Sequence, residues 1–303
     1  MAEVAVVVPT WNRAHLLPAS LASLLAQEGV DLEVVVVDDG SSDDTPALLA
    51  RLAAADARLR VVRGAHAGVA AARNAGIAAS DAPFVAFHDS DDIALPGRLA
   101  TPVAYLRAHP DVDLVIQNGR MLPPDDRSDG QEEPWIRPAV AAALVERPIG
   151  VAEVFRWNLG QLQGMTFTRR ALEATGPLDA SFRILDDLDL VLRVATTFRA
   201  VFIDEPAFVY RRHAGGIARD RTTVREEAIQ LADKLVRHHP AVLDVLGRHA
   251  FHRRQARRWS RLAAERARAG EVSAARAALA RARQLEPGSV RLRLQALWLR
   301  LRS

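Results

Sequence analysis

The sequence predicts an α/β chain: a doubly wound, mostly parallel sheet followed by a C-terminal α-helical region. Three observations predict it. Unbroken apolar runs recur at VAVVV (4–8), LEVVVV (32–37) and PFVAF (83–87), the pattern of strands buried on both faces of a parallel sheet. Stretches with leucine and alanine at helical spacing separate those runs. Past residue 220 the composition shifts to arginine and alanine.

Residues 4–8 form the first strand, closed by Pro9. Residues 14–27 place Leu17, Leu21, Leu24 and Leu25 at helical spacing. The second strand, 32–37, runs into acids and turn formers. In SSDDTPALLARLAA, Thr45 reads as a helix N-cap with Pro46 at the first helical position. RLRVVRG is a third short strand, GVAAARNAGIAAS a helix opened by Gly68, and PFVAF a fourth strand. Beyond residue 120 the pattern loosens. PPDDRSDGQEEP is a Pro-rich polar loop, and residues 139–146 and 151–157 are expected to be helical. Leu185, Leu188, Val191, Leu192 and Ala195 trace one helical face, with Asp186, Asp187 and Asp189 in or just before its first turn. RAVFIDEPAFVYRRH reads as one or two strands and a basic turn.

The 303 residues suffice for one large and one small domain. The absence of cysteine excludes disulfides, thiolate metal sites and a Cys nucleophile. The N-terminus shows neither a basic n-region nor a long apolar stretch, so no signal peptide is expected, and no apolar run approaches the roughly 18 residues of a membrane span. A cytoplasmic protein is expected, with a peripheral position on the inner face of a membrane as the alternative. The net charge of +3 hides an asymmetry. Residues 225–303 carry 18 Lys and Arg against 7 Asp and Glu, and the remainder 22 against 30. The pI therefore does not mark a nucleic-acid binder.

In a doubly wound sheet ligands bind at the carboxyl ends of the strands. Those ends carry Thr10, Trp11 and Asn12, then Asp38 and Asp39, then Asp89, Asp91 and Asp92. An acid after a strand often does no more than cap a turn, which suits Asp38, Asp43 or Asp44. Three carboxylates within four positions repel one another, and a turn does not offset that. A hard divalent cation does, because Mg²⁺ and Mn²⁺ prefer carboxylate oxygens and bridge to phosphates.

The ordered motifs VVVPTWNR (6–13), VVVVDDGSSDDT (34–45), GVAAARNAGI (68–77), FHDSDD (87–92), GMTFTRRAL (164–172) and LDDLDLVLR (185–193) resemble glycosyltransferase family 2, inverting enzymes with the Rossmann-like GT-A fold. The resemblance covers roughly residues 3–216. It implies that Asp89 and Asp91 are the outer positions of a DxD motif, with Asp91 on a metal, Mn²⁺ or Mg²⁺, and Asp89 nearer the donor. Asp92 has a weaker claim, capping the following helix turn being its alternative. Asp39 would read the nucleobase and ribose, and Pro9, Thr10 and Trp11 would form the other wall of that pocket. For Trp11, base stacking and core packing both stay open. Arg73 would pair with the donor diphosphate or with Asp39, or make a scaffold salt bridge. The family's usual Glu-Asp-x-Asp reads here Asp186-Asp187-Leu188-Asp189, which implies Asp187 as general base. His213 matches a basic turn that completes the metal shell in some members, although a lone surface histidine is commoner.

Residues 1–220 are expected to form the catalytic domain and 221–303 a basic region containing a tetratricopeptide-like hairpin. Its last helix sets Leu294, Leu297, Trp298 and Leu301 on one face, for packing, homodimer formation or contact with an anionic membrane. The function expected is transfer of a sugar from a nucleotide-sugar donor, UDP-type, to a glycan, lipid-linked or secondary-metabolite acceptor. The alternatives are a peptide or protein acceptor docked by the helical region, a nucleotidyltransferase, and a non-catalytic binding module. Nucleic acid is not an expected partner.

Overall fold

A computed structural model describes residues 2–122, 132–145, 147–211 and 220–301. The chain divides into two compact units, Met1–Ala214 and Gly215–Ser303.

The N-terminal unit opens with β1 (Val4–Thr10), buried at all seven positions. It continues through α1 (Leu17–Leu25), β2 (Leu32–Asp38), α2 (Thr45–Ala55), β3 (Leu59–Arg63), α3 (Val69–Ala78) and β4 (Phe84–Phe87). Then come β5 (Ile93–Ala94), α4 (Ala100–Ala108), β6 (Leu114–Met121), β7 (Glu133–Pro134), α5 (Pro138–Leu144) and α6 (Val151–Trp157). A 3-10 turn (Leu162–Gly164) leads into β8 (Met165–Thr168), α7 (Arg169–Thr175), α8 (Asp186–Thr197) and β9 (Ala200–Tyr210). The strands form one sheet in the order β3-β2-β1-β4-β8-β6-β9-β5, with β7 paired to β6.

The sheet is parallel from β3 to β4. Beyond β4 it is mixed: β8 runs antiparallel to both β4 and β6, and β9 runs parallel to β6. The chain goes from β1 outward to β3 and returns to the other side of β1 as β4. That reversal opens a crevice at the carboxyl ends of the strands. On one face of the sheet Val6, Val8, Val34 and Val36 pack against Leu17, Leu21 and Leu24 of α1 and Leu49 of α2. Burying each such side chain is worth about 1.5–3 kcal/mol. On the other face α3 approaches closely. A Cβ on Gly76 would stand 2.4 Å from Val7 Cγ1, so only glycine fits there.

The start of α2 differs from the expectation by one residue. Asp44 is the cap position without a side-chain bond, and Thr45 is already helical. Asp43 Oδ1 instead accepts the Thr45 amide at 3.0 Å, and Thr45 Oγ1 accepts the Arg13 amide at 3.0 Å. The Thr45 hydroxyl thus ties α2 to the end of β1.

The C-terminal unit is all helix: α9 (Arg221–His238), α10 (Val242–Leu246), α11 (Arg248–Arg268), α12 (Val272–Leu285) and α13 (Val290–Leu301). Asp220 caps α9 by accepting the Thr223 amide. Gly270, at φ +81°, makes the α11–α12 turn. Ala256, Ala263, Ala275, Ala278 and Ala282 line the seam with Leu262, Leu279 and Leu292. Small side chains let the helices approach closely. On α13, Leu292 is buried, whereas Val290 and Leu294 are 66% and 62% exposed. Leu297 is exposed too, and the side chains of Trp298 and Leu301 lie outside the described residues.

Candidate active site

The end of β1 supplies the first wall. Pro9 and Thr10 are buried, while Trp11 is 46% exposed and stacks against His66, ring centroids 4.8 Å apart. Core packing is therefore not the role of Trp11. Asn12, at φ +52°, accepts the Ser42 amide at 2.8 Å and so closes the 39–45 turn onto β1. Asp38 caps that turn, accepting the Ser41 amide at 3.0 Å. Asp39 is buried, and its two oxygens accept the Ala67 and Gly68 amides, each at 2.8 Å. It thereby holds the loop that carries His66 and starts α3.

The acids after β4 converge. One carboxylate oxygen from each of Asp89, Asp91 and Asp92 lies within 4.8 Å of the others. Asp92 is fully buried; its Oδ1 accepts the Arg211 amide at 3.0 Å, and its Oδ2 is buried without a hydrogen-bond partner. Burial, then Asp89 and Asp91, push the Asp92 pKa well above the usual carboxylate range. Burial also raises the Asp89 pKa, with Arg73 pulling against it and Asp91 adding to it. Groups that resist carrying their own negative charge gain most from a cation. Hard oxygen donors, mutual repulsion and a buried oxygen without a partner together fit Mg²⁺ or Mn²⁺. Asp92 caps no helix turn. It is followed by β5, and it belongs to the convergent group.

Two guanidinium groups stand beside the acids. Arg13 Nε lies 3.7 Å from Asp91 Oδ2, and the Arg211 side chain bonds the Asp91 and Leu16 carbonyls. Beneath the loop, Arg98 is 1% exposed. It donates to the carbonyls of Phe87, Gln163 and Met165 and to Thr166 Oγ1, at 2.7–3.1 Å. Burial pushes its pKa down to about 9. His88, also fully buried, has its pKa pushed down to about 3, by burial and then by Arg98. These residues carried no signal in the sequence beyond a lone arginine in ALPGRLA and a histidine among acids.

Helix α8 sorts its three acids. Asp186 is fully buried and pairs with Arg73 Nη1 at 2.9 Å. Asp189 is buried and pairs with Arg193 Nε at 2.9 Å, and Arg193 in turn donates to the Thr175 and Pro177 carbonyls. Asp187 is half-buried, accepts the Leu188 amide, and shows no ion pair among the described residues. Burial and then Asp186 push its pKa well above the usual carboxylate range, against Arg73. Arg73 also bonds Asp89 Oδ1 through Nη2 at 2.9 Å and makes no contact with Asp39, which bonds the 66–68 loop instead.

The structure thus gathers Trp11, Asp39, Arg73, Asp89, Asp91 and Asp187 around the carboxyl ends of β1, β2 and β4. His213 lies outside the described residues. A separate cleft of about 470 Å³, lined by Asn118, Arg120, Glu132, Asp204 and Pro206 among others, includes none of them.

The model of Glycosyl transferase family 2 matches residues 5–172. The succinoglycan biosynthesis protein ExoO of Rhizobium meliloti is 32% identical over 263 residues, which is 83% of this chain and 72% of that protein. The UDP-Glc:alpha-D-GlcNAc-diphosphoundecaprenol beta-1,3-glucosyltransferase WfgD of Escherichia coli is 34% identical over 104 residues, 34% of this chain and 40% of that one. Among solved structures, the mannosyltransferase PcManGT of Pyrobaculum calidifontis, in complex with GDP-Man and Mn²⁺, aligns with a TM-score of 0.64 and 25% identity. That alignment covers 99% of this chain and 80% of the other.

Proposed function

The chain belongs to glycosyl transferase family 2 and is a glycosyl transfer enzyme with a GT-A fold; on that premise we propose that it moves a sugar, with inversion, from a nucleoside-diphosphate donor to a hydroxyl of a lipid-linked or polysaccharide acceptor. The observation that carries this reading is the sorting of acids on α8. Two of the three are neutralised by arginines, and Asp187 is left half-buried with a raised affinity for protons. A base of that kind suits a reaction near neutral pH. Asp187 takes the acceptor hydroxyl proton as that oxygen bonds the anomeric carbon. The sugar–phosphate bond breaks on the opposite face, and its electron pair leaves with the diphosphate.

Asp89, Asp91 and Asp92 would hold the divalent cation, Mn²⁺ or Mg²⁺, whose charge offsets that building on the leaving group. Trp11 and His66 offer an aromatic surface for the base, and Asp39 accepts from base or ribose while it holds the 66–68 loop. WfgD carries UDP-Glc and a diphosphoundecaprenol acceptor in its name, and PcManGT was solved with GDP-Man; the first supports a lipid-linked acceptor here. A UDP-type donor is the reading carried here. Residues 1–220 would carry the catalysis. The basic helices of 221–303 would serve acceptor docking at a membrane surface.

Two variants test the reading. Asp91→Asn should abolish Mn²⁺-dependent nucleotide binding in calorimetry. Asp187→Asn should bind nucleotide like wild type while transfer falls by about a hundredfold or more. Asp187 works deprotonated and its pKa is raised, so transfer should fade with falling pH well before the ordinary carboxylate value of 3.8 is reached. Normal transfer by Asp187→Asn would remove it as the base.

A further inference from the structure

We infer that Arg73 is a positioning residue and not a donor ligand: its two-pronged guanidinium fixes the spacing between the acid cluster after β4 and the first turn of α8. The inference rests on the glycosyl-transfer reading above. Arg73 is almost fully buried, and both terminal nitrogens are engaged, Nη1 with Asp186 Oδ2 and Nη2 with Asp89 Oδ1, each at 2.9 Å. At 6% exposure the guanidinium offers a diphosphate very little surface to meet. Its Nε and the second oxygen of Asp186 are buried without hydrogen-bond partners, so the Asp186 end of the fork is closed to solvent, while Asp89 at the other end is 30% exposed. A planar fork holds two carboxylates at a set separation, which a flexible ammonium does not do.

The surroundings have the character of a fixed mount. Gly76, one turn further along α3, lets the helix lie against Val7 and Val37 with no room for a Cβ. Asn74, the next residue after Arg73, donates to the Leu178 carbonyl at 2.9 Å and accepts the Leu178 amide at 2.8 Å. Consecutive side chains on α3 therefore grip the segment that delivers α8, one at its start and one at the turn before Asp187. Across the same guanidinium stands Asp89, one of the three convergent acids. Arg73 is the single side chain bonded both to the convergent acid group and to the helix that bears the proposed base, among the described residues. Moving either end by 1 Å would misalign the acceptor oxygen with the anomeric carbon, a displacement that can lower a rate by about a hundredfold.

The test separates gripping the donor from spacing the site. In Arg73→Met, calorimetry with UDP or GDP plus Mn²⁺ should give a Kd within about threefold of wild type, while kcat falls by about a hundredfold at saturating donor. Arg73→Lys should restore thermal stability but little of kcat, because an ammonium cannot hold both acids. Asp186→Asn should lower kcat with nucleotide affinity intact, and its combination with Arg73→Met should cost much less than the product of the two losses. Amide exchange at residues 185–189 should quicken in Arg73→Met while that at 32–38 does not. A nucleotide Kd raised tenfold or more, with kcat recovered at high donor, would make Arg73 a donor ligand and overturn the inference. If Arg73→Met does not fold, Asp186→Asn decides: wild-type kcat there overturns the inference equally. Wild-type protein that neither binds nucleotide nor transfers would sink the glycosyl-transfer reading instead, and the exchange experiment would still report on the Arg73 link.

Discussion

Arg73 and Arg98 of the N-terminal unit lie almost wholly out of water, whereas Arg257, Arg261 and Arg281 of the helical unit are exposed. The same side chain does opposite jobs. In the first unit each guanidinium satisfies fixed acceptors, Arg98 mostly carbonyls and Arg73 the buried Asp186 and the partly buried Asp89. In the second, the interior is mostly alanine and leucine, and most charge lies at the surface or in pairs such as Arg253–Glu286, the buried Glu227 and the half-buried Arg258 being the exceptions. The basic excess of residues 225–303 is thus a property of a surface, while the smaller number of buried charges near Asp89 and Asp186 is a property of a site. Net charge says little about where chemistry happens. Buried and paired charge says much more, because desolvation is tolerated only where specific partners repay it.

Three substitutions sharpen or break this contrast. The largest effect is expected from Arg98→Met, which strips the donor from three carbonyls and the Thr166 hydroxyl. Unsatisfied buried acceptors cost about 1–3 kcal/mol each, partly recovered by relaxation, so a loss of about 3–5 kcal/mol is expected. Amide exchange should quicken across residues 114–121 and 165–168 and stay unchanged across 272–285. A loss below 1 kcal/mol would show that the buried charge is not structural. Next comes Leu279→Ala in the helical seam, where a cavity should cost about 2–5 kcal/mol by denaturant titration. Nucleotide affinity should hold while that unit is folded; a large fall in affinity would break the division of labour. The smallest effect is expected from Asp244→Asn, which removes an exposed i,i+4 pair with Arg248. Thermal unfolding should register less than 0.5 kcal/mol.

The parallel half of the sheet was legible because its strands are buried on both faces, and unbroken valine runs announce that directly. Helix α8 was legible for the opposite reason: Leu188, Val191, Leu192 and Ala195 recur at helical spacing, and all four are buried. The antiparallel half was not. β8 alternates as Met-Thr-Phe-Thr but is only four residues long, too short to stand out, while β6 mixes Leu114, Val115 and Ile116 with Gln117 and Asn118. Those amides are buried because Asn118 bonds Asp204 and the Ile136 carbonyl, partners far off in the chain. At the site, Asp89 and Asp91 stood out through the density of like charge. Asp92 had the weaker claim in the sequence because its partner, the Arg211 amide, lies 119 residues away. Arg98 was invisible because its partners are mostly carbonyls, and every residue has one.

The bond from the Arg211 amide to Asp92 spans 119 residues, and it sets a clock on the newborn protein. Synthesis runs at about 5–20 residues per second, so the acidic loop waits on the order of ten seconds before its anchor is made. The β5 strand waits as long, since its neighbour β9 ends at Tyr210. Until then a nascent chain carries a cluster of mutually repelling carboxylates whose Asp92 lacks the Arg211 amide, and a sheet edge still waiting for β9. The acid loop is one of the last parts of the N-terminal unit to close, so a chain halted before residue 211 would hold nearly every residue of the chemistry but lack the bonds that fix Asp92 and the Asp91 carbonyl.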